Sequence, residues 1–495
     1  MTEQQPLADC SLDVVIIGAG FSGIAMAHAL SKRPGLRFAL LEKGSRPGGT
    51  WRDNIYPGCA CDIPSHLYSL SFAPKHDWSR MFPTQAEILD YCDDVIRRFD
   101  LQRHIRLNSH VVSADWDSDA ALWRILLASG DRIAARYLVS AIGVLHHPQY
   151  PDIPGIGDFG GQTLHTALWD RSYDPAGKRV AVIGTGASAI QVVPALAGKV
   201  EQMTVFQRTP AWIAPRFDRP IEPQMQERLR RSWWYRKWFR LQLFIAHEKR
   251  ATAFTKQQPA AIAKAEALCQ GMIDRQINDP LLKAKLTPTY KVGCKRLTVS
   301  SDYYPALQRE NVELVTDAIR GIEADGVITV DGRRHAVDTI ILATGYDAQR
   351  PFSHLPIRGS DGRALEEVWA QDGKNALLGT TMTGFPNFFL ITGPHTGGGH
   401  NSQIFMIEAQ VNYIMKGLRK AERKKARTVE PRADAQQAFA EEMDRCMDHS
   451  VWQGGGCKSW FLDPATGRNN LLWPGYSTEF WLRTRRFRER DYRFG

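Results

Sequence analysis

The stretch Val14-Val15-Ile16-Ile17-Gly18-Ala19-Gly20-Phe21-Ser22-Gly23 decides the fold of the chain. A short β-branched run leads into glycines spaced Gly-x-Gly-x-x-Gly, and the apolar segment 24–30 continues as a helix. A second apolar run, 38–41, ends at Glu42, 19 residues after Gly23. This order predicts a strand, a tight turn, a helix and a second strand, which together close a βαβ unit.

The glycine turn and the acid at Glu42 favour a bound adenine dinucleotide. A helix N-terminus that follows such a turn binds pyrophosphate, and a carboxylate at the end of the second strand accepts hydrogen bonds from ribose hydroxyls. Three glycines alone are a weak signal, and the alternative is that they only form an ordinary turn. The strand, helix and acid together favour FAD or NAD, with candidate contacts at Gly18, Gly20, Phe21, Ser22, Gly23, Glu42 and Lys43.

The same pattern returns in the middle of the chain. A strand at 179–183 precedes Gly184, Thr185, Gly186, Ala187, Ser188 and Ala189, and a further strand at 203–206 is followed by Arg208. Arg208 stands 19 residues after Ala189, where an acid would repel a 2′-phosphate, so this unit favours NADPH over NADH. Thr209 offers a hydroxyl to the same phosphate. The alternative is that Arg208 is a solvated surface charge.

The chain is therefore predicted to be an α/β protein with two Rossmann-like dinucleotide-binding domains and a helical insertion. The predicted boundaries are 1–148 for the first part of the FAD domain and 149–345 for the NADP domain. Residues of about 216–290 form the insertion, because strand signals vanish there. Residues 346–495 return to the FAD domain and end in an Arg-rich tail.

Composition limits the remaining classes. The 495 residues carry a net charge of +10, which favours an anionic partner without saying which. The eight cysteines form no CxxC pair, so we expect neither a zinc site nor a disulfide framework, and a reducing cytoplasm fits best. Residues 1–10 are polar and no run reaches 18 apolar residues, so neither a secretion signal nor a membrane span is expected.

Two longer motifs match a known family at every position. Phe159, Gly161, His165, Trp169 and Asp170 fit F-x-G-x-x-x-H-x-x-x-W-[PD]. The second pattern, [AG]-G-x-W-x-x-x-x-[FY]-P-[GM]-x-x-x-D, is met by Gly48, Gly49, Trp51, Tyr56, Pro57, Gly58 and Asp62. The chain thus resembles the Baeyer–Villiger monooxygenases, which are class B flavoprotein monooxygenases. The segments 295–297, 343–346 and 459–475 also resemble family segments, so the resemblance covers nearly the whole chain.

The resemblance implies an enzyme that uses FAD, NADPH and O₂ on a small-molecule ketone. In this family a flavin peroxide attacks the carbonyl, and carbon migration gives an ester or lactone. Heteroatom-oxidising flavin-containing monooxygenases are the enzymatic alternative, although their histidine motif usually lacks the Trp169-Asp170 pair. Neither nucleic acid nor integral membrane association is expected, and the protein is predicted to be a monomer or small homo-oligomer.

The resemblance also assigns residues. Arg296 is the expected catalytic residue because its guanidinium stabilises an anion without donating a proton, and Asp62 is expected to hold it in place. Lys295 is expected to reach the NADP phosphate, with Lys295 and Arg296 on opposite faces of a strand. Further expected cofactor contacts are Thr50, Trp51, Tyr68, Val112, Gln191 and Trp460. His165 is interpreted as a hinge residue, with an acid–base role as the alternative.

The functions of three further segments are not fixed by these motifs. The loop 400–403 is expected to approach the flavin and the substrate. The aromatic and basic segment 233–240 could lie on an anionic membrane, and the arginines of 483–493 could contact nucleic acid. A helical lid and a solvated tail are the alternative for these two.

Overall fold

The computed structural model describes residues 11–495, and residues 1–10, which carry the prediction of no secretion signal, lie outside the described residues. The strands are β1 (Ser11–Ile17), β2 (Phe38–Leu41), β3 (Ile105–Arg106), β4 (Val111–Asp117), β5 (Leu122–Leu127), β6 (Arg132–Ser140), β7 (Gln162–His165), β8 (Arg179–Ile183), β9 (Gln202–Phe206), β10 (Ile213–Ala214), β11 (Thr298–Val299), β12 (Val312–Val315), β13 (Ile319–Glu323), β14 (Gly326–Thr329), β15 (Arg334–Ala336), β16 (Thr339–Leu342), β17 (Ile357–Arg358), β18 (Phe388–Leu390), β19 (Val429–Pro431) and β20 (Tyr492–Phe494). The helices are α1 (Phe21–Ser31), α2 (Thr50–Asp53), α3 (Gln85–Arg98), α4 (Ala187–Leu196), α5 (Pro223–Arg231), α6 (Trp233–Glu248), α7 (Ala251–Phe254), α8 (Pro259–Gln276), α9 (Pro280–Leu286), α10 (Tyr303–Leu307), α11 (Leu365–Asp372), α12 (Gln403–Arg423), α13 (Ala433–Asp448), α14 (Val451–Gly454) and α15 (Ser477–Thr484).

The first sheet joins the two ends of the chain. Its strand order is β17-β4-β5-β6-β1-β2-β3, and β18 pairs with the second half of β6. The pairs β1–β2 and β1–β6 are parallel, and the segment 14–17 of β1 is buried throughout, which is typical of a parallel strand covered on both faces. Because β18 is parallel to β6, the C-terminal third of the chain completes the sheet that the N-terminus begins.

The second sheet is formed by the middle of the chain. Its five strands follow the order β12-β9-β8-β16-β7, and all its pairings are parallel. An antiparallel sheet, β13-β14-β15, lies between β12 and β16 in the chain. The structure thus confirms the predicted α/β class with two Rossmann-like parallel cores.

Helices fill the chain between β10 and β11, which pair with each other in a short parallel sheet. This region comprises α5 to α9, from Pro223 to Leu286. Within residues 11–495, no helix combines the length and the apolar character that crossing a bilayer requires.

One cysteine pair overturns a sequence-based expectation. Cys294 and Cys457 form a disulfide, although they are 163 positions apart in the chain. The expectation that no disulfide forms is therefore wrong for this pair. Spacing in the sequence could not reveal it, because the approach of residues so distant in the chain is set by tertiary packing. Cys59 and Cys61 are free thiols.

Candidate functional site

A cleft of about 2160 Å³ lies between the eight-stranded sheet and the five-stranded sheet. The glycine turns that follow β1 and β8 both line it, so it lies at the carboxyl ends of the strands. This is where open α/β sheets bind their ligands. Residues from both ends of the chain and from its middle therefore share one cavity.

The two glycine turns have the same local geometry. Gly18 has φ +101°, and a Cβ there would lie 2.8 Å from the carbonyl oxygen of Ala141. Gly184 has φ +122°, and its Cβ would lie 2.5 Å from the carbonyl oxygen of Ala343. Each turn thus requires glycine, because the positive φ and the close approach to a backbone carbonyl leave no room for a side chain.

The second glycine of each turn leaves open space in front of a helix. Gly20 precedes α1 and Gly186 precedes α4, and neither helix has a side-chain cap at its N-terminus. A Cβ on Gly186 would meet nothing within 4 Å, and one on Gly20 would meet only the Cα of Gly49, at 3.6 Å. Two uncapped helix N-termini facing one cleft fit the pyrophosphates of two dinucleotides.

Glu42 lies at the edge of the first turn, where the sequence places it. Its side chain is buried and accepts hydrogen bonds from the backbone N–H of Ala19 at 2.9 Å and of Gly44 at 2.8 Å. Arg52 pairs with the Glu42 carboxylate. These contacts hold the carboxylate at the end of β2, beside the cleft, where it can meet a ribose.

Two cations converge in the second half of the cleft. Arg208 and Lys295 both line it, and among residues 11–495 neither has a carboxylate within ion-pair distance. Burial and the positive charge of Arg208 lower the pKa of Lys295. Two cations that repel each other beside an uncapped helix N-terminus form a site for an anion with more than one negative charge.

Asp62 and Arg296 form the central ion pair. Arg296 donates from Nε to Oδ2 and from Nη2 to Oδ1 of Asp62, both at 2.9 Å. Asp62 raises the pKa of Arg296 further above its ordinary value, chiefly by direct electrostatic attraction. A guanidinium held in this bidentate fork keeps its charge and its orientation at any physiological pH.

Lys295 and Arg296 do not lie on a strand, so that expectation is wrong. Both belong to the loop between α9 and β11, directly after Cys294. A loop lets neighbouring side chains diverge without the strict alternation of a strand. The disulfide to Cys457 ties this loop to the segment that carries Trp460, which also lines the cleft.

Most of the other predicted cofactor contacts line the cleft as well. They are Phe21, Ser22, Lys43, Thr50, Trp51, Tyr68, Thr185, Ala187, Ser188, Gln191, Thr209 and Trp460. Gly23 and Ala189 do not, since a Cβ on Gly23 would lie 1.9 Å from the oxygen of Gly18 and Ala189 is fully buried. Val112 does not line the cleft either, whereas Val111 does.

The histidine motif lies outside the cleft and includes β7, the edge strand of the second sheet. His165 ends β7, accepts a hydrogen bond at Nδ1 from the N–H of Ala167 at 3.0 Å, and contacts Thr344 Oγ1 through Nε2 at 3.3 Å. Burial lowers its pKa, so the ring is neutral near pH 7. The other motif residues, Phe159, Gly161, Trp169 and Asp170, also do not line the cleft. The hinge role stays a prediction.

The sequence did not reveal Glu248. This carboxylate at the end of α6 accepts hydrogen bonds from Asn401 Nδ2 at 2.8 Å and from the N–H of Thr478 at 2.8 Å, and it contacts His400 at 3.3 Å. Burial would raise its pKa, but these hydrogen bonds lower it to about 2. Asn401 and Gln403 line the cleft, so Glu248 anchors the loop 400–403, which was expected near the flavin.

Two dinucleotide sites on one cleft are typical of an oxidoreductase that binds both a flavin and a nicotinamide dinucleotide. The family model for pyridine nucleotide-disulphide oxidoreductases matches residues 15–266. A Baeyer–Villiger monooxygenase of Pseudomonas aeruginosa is 42% identical over 98% of this chain and 92% of its own length. One of Streptomyces coelicolor is 43% identical over 97% and 92%.

The solved structures agree. A closed crystal structure of cyclohexanone monooxygenase has a TM-score of 0.88 at 31% identity, covering 98% of this chain and 99% of the other. An oxidized steroid monooxygenase bound to NADP has a TM-score of 0.88 at 30% identity, with the same coverage. The chain belongs to the Baeyer–Villiger monooxygenases, which confirms the resemblance and not the heteroatom-oxidising alternative.

Proposed function

We propose that the protein uses NADPH and O₂, with FAD as its bound cofactor, to insert one oxygen atom beside the carbonyl of a small-molecule ketone. The overall reaction converts ketone, O₂, NADPH and a proton into ester or lactone, NADP⁺ and water. The observation that carries the proposal is the bidentate Arg296–Asp62 pair in a cleft reached by two uncapped dinucleotide-binding helices.

The cofactors divide between the two halves of the cleft. The turn 18–23 and Glu42 would hold FAD, with Lys43, Thr50, Trp51 and Tyr68 around it. The turn 184–189, Arg208, Thr209 and Lys295 would hold NADPH, with Trp460 and Gln191 nearby. When bound, these groups supply hydride transfer and the activation of O₂.

Arg296 and Asp62 determine where negative charge is stabilised in the cleft. Arg296 presents a permanent positive charge that stabilises negative charge on oxygen yet does not release a proton to it. Asp62 orients the guanidinium and does not act as a base. Tyr56 and Gln191 hold the two halves together, because Tyr56 OH donates to Gln191 Oε1 at 2.9 Å and Gln191 Nε2 donates to the Ala60 carbonyl at 2.9 Å.

Sheet membership supports the predicted boundaries. We assign 1–148 and 346–495 to the FAD unit, since β18 and β17 join the sheet of β1, and 149–345 to the NADP unit. A cytoplasmic location and a monomeric or small homo-oligomeric state stay predictions. The Cys294–Cys457 disulfide bears on the location, because disulfides are rare in a reducing cytoplasm.

Product analysis tests the function. The purified holoenzyme is incubated with NADPH and isotopically labelled O₂, separately with cyclic, linear and aryl ketones and with a thioether. We expect an ester or lactone that carries one labelled oxygen from at least one ketone. Sulfoxide formation without any ester, or NADPH consumption with every ketone unchanged, would contradict the proposal.

A further inference from the structure

One face of α6 exposes a continuous row of large apolar side chains. Trp234, Trp238, Leu241 and Ile245 are 77%, 57%, 46% and 44% exposed. Their spacing of four, three and four residues places them on one side of the helix over three turns. We call these four residues the α6 stripe. Trp233 extends its N-terminal end and is 46% exposed.

The opposite face of α6 is fixed against the protein. Arg240 donates from Nη1 to the carbonyl oxygen of His66 at 3.0 Å and to Ser69 Oγ at 2.9 Å. Phe244 packs on Phe405 with ring centroids 4.8 Å apart. A rotation that buried the tryptophans would break these contacts. The helix therefore holds an arginine inward and its indoles outward, which reverses the usual order of an amphipathic surface helix.

The exposed charges of α6 and of the residue directly after it have one sign. Lys237 lies within α6 and Lys249 follows its last residue, and both are exposed. The sole acidic residue of α6 is Glu248, which is buried and bound to Asn401 and Thr478. The exposed face thus combines tryptophan with cations and holds no carboxylate. Protein helices that lie at an anionic membrane surface have this combination.

A second exposed patch begins at the C-terminal end of α6. Thr478 of α15 donates to Glu248 through its backbone N–H and its hydroxyl. Trp481 and Leu482 follow three and four residues later, on the same side of α15, and are 39% and 58% exposed. The guanidinium of Arg485 lies 5.2 Å from the Trp481 ring centroid. The same mixture of indole, aliphatic and cationic groups therefore recurs on α15, whose first turn is hydrogen-bonded to the last residue of α6.

We propose that the α6 stripe, with Trp481 and Leu482, docks on the surface of an anionic lipid bilayer. The 16 residues of α6 span about 24 Å, which is short of the hydrocarbon core, so the helix lies in the headgroup plane. The indoles insert at the interface and the lysines and arginines meet lipid phosphates. A second copy of the chain is a poor occupant, because a two-fold contact through this face would oppose cations to cations.

Vesicle flotation tests the proposal with the FAD-loaded protein. We expect it to float with phosphatidylcholine vesicles that contain phosphatidylglycerol, far less with phosphatidylcholine alone, and less as salt rises. The variant Trp234→Gln/Trp238→Gln/Leu241→Gln should lower the vesicle-bound fraction by about tenfold or more. The matched control is Leu281→Gln/Val330→Gln, which removes side chains 76% and 60% exposed elsewhere on the surface and should bind as the unaltered protein does.

Thermal unfolding and flavin absorbance establish that each variant is folded and loaded. The proposal is overturned if the unaltered protein does not float with either kind of vesicle, or if the triple variant floats as well as the control. It is also overturned if light scattering shows a dimer that the triple variant dissociates while vesicle binding is absent. Because flotation does not depend on turnover, its outcome is independent of the proposed reaction.

Discussion

Arg296 and Asp62 are separated by 234 residues in the chain and meet through two parallel hydrogen bonds of 2.9 Å. Asp62 comes from the loop between α2 and α3, and Arg296 from the loop before β11. The pair therefore joins the two nucleotide-binding halves at the cleft. The Arg296 side chain is 34% exposed. The Asp62 carboxylate offsets the cost of its partial burial and fixes the orientation of the guanidinium.

Replacing Arg296 should separate NADPH consumption from ester formation. In Arg296→Ala we expect ester formation to fall by about 100-fold or more, because the charge that stabilises anionic oxygen is gone. NADPH should still bleach the flavin absorbance, since Arg208 and Lys295 remain. Stopped-flow absorbance and product chromatography measure the two steps.

Arg296→Lys and Asp62→Asn are the matched comparisons. Arg296→Lys keeps the positive charge without the bidentate hydrogen bonds, and Asp62→Asn keeps the side-chain shape without the negative charge. The rate of ester formation by each should therefore lie between those of Arg296→Ala and the unaltered protein. Full ester formation by Arg296→Ala would exclude a catalytic role for this arginine.

Arg208 should set the preference for NADPH over NADH. We expect Arg208→Ala to raise KM for NADPH by about tenfold or more and to leave KM for NADH nearly unchanged, because only NADPH carries the 2′-phosphate. Steady-state kinetics with both nucleotides measure the difference. Arg419→Ala, an exposed arginine on α12 away from the cleft, is the control. An equal effect on both nucleotides would show that Arg208 does not recognise the phosphate.

Lys295 should make NADPH binding sensitive to alkaline pH. Burial and Arg208 lower its pKa below the ordinary 10.5, so the ammonium loses its proton earlier than an exposed lysine does. Its attraction for the phosphate is complete below that lowered pKa and is lost as the pH rises through it. KM for NADPH should therefore rise as the pH increases through the lowered pKa of Lys295. In Lys295→Arg the guanidinium stays charged, and a profile as steep as that of the unaltered protein would refute this assignment.

The disulfide should stabilise the fold and the NADPH half of the cleft. Since Cys294 and Cys457 are 163 positions apart in the chain, loss of the disulfide should lower the free energy of unfolding by about 2–5 kcal/mol. Thermal unfolding of Cys457→Ser, or of the protein treated with a dithiol, measures the change. Cys446→Ser removes a free thiol and should have little effect on Tm. An equal Tm with and without the dithiol would show that the bond contributes nothing.

The local parts of the candidate site follow from short sequence patterns, and their roles as cofactor contacts stay predictions. The two glycine turns, Glu42 and Arg208 were found because each depends on residue types at short spacing within one βαβ unit, and the structure places all of them on one cleft. The strand expected for Lys295 and Arg296 was wrong, and Val112 was one residue away from the lining position. Short loops and single strand positions depend on packing that a local pattern does not encode.

Local sequence patterns are sufficient to predict two α/β nucleotide-binding units and the family to which the chain belongs. The tertiary structure fixes which distant residues meet. It brought Asp62 to Arg296, joined Cys294 to Cys457, set Glu248 against the loop 400–403, and turned the tryptophans of α6 outward. The physical reason is range: turns and helices follow from neighbours in the chain, whereas pairing and exposure follow from how whole elements bury their surfaces.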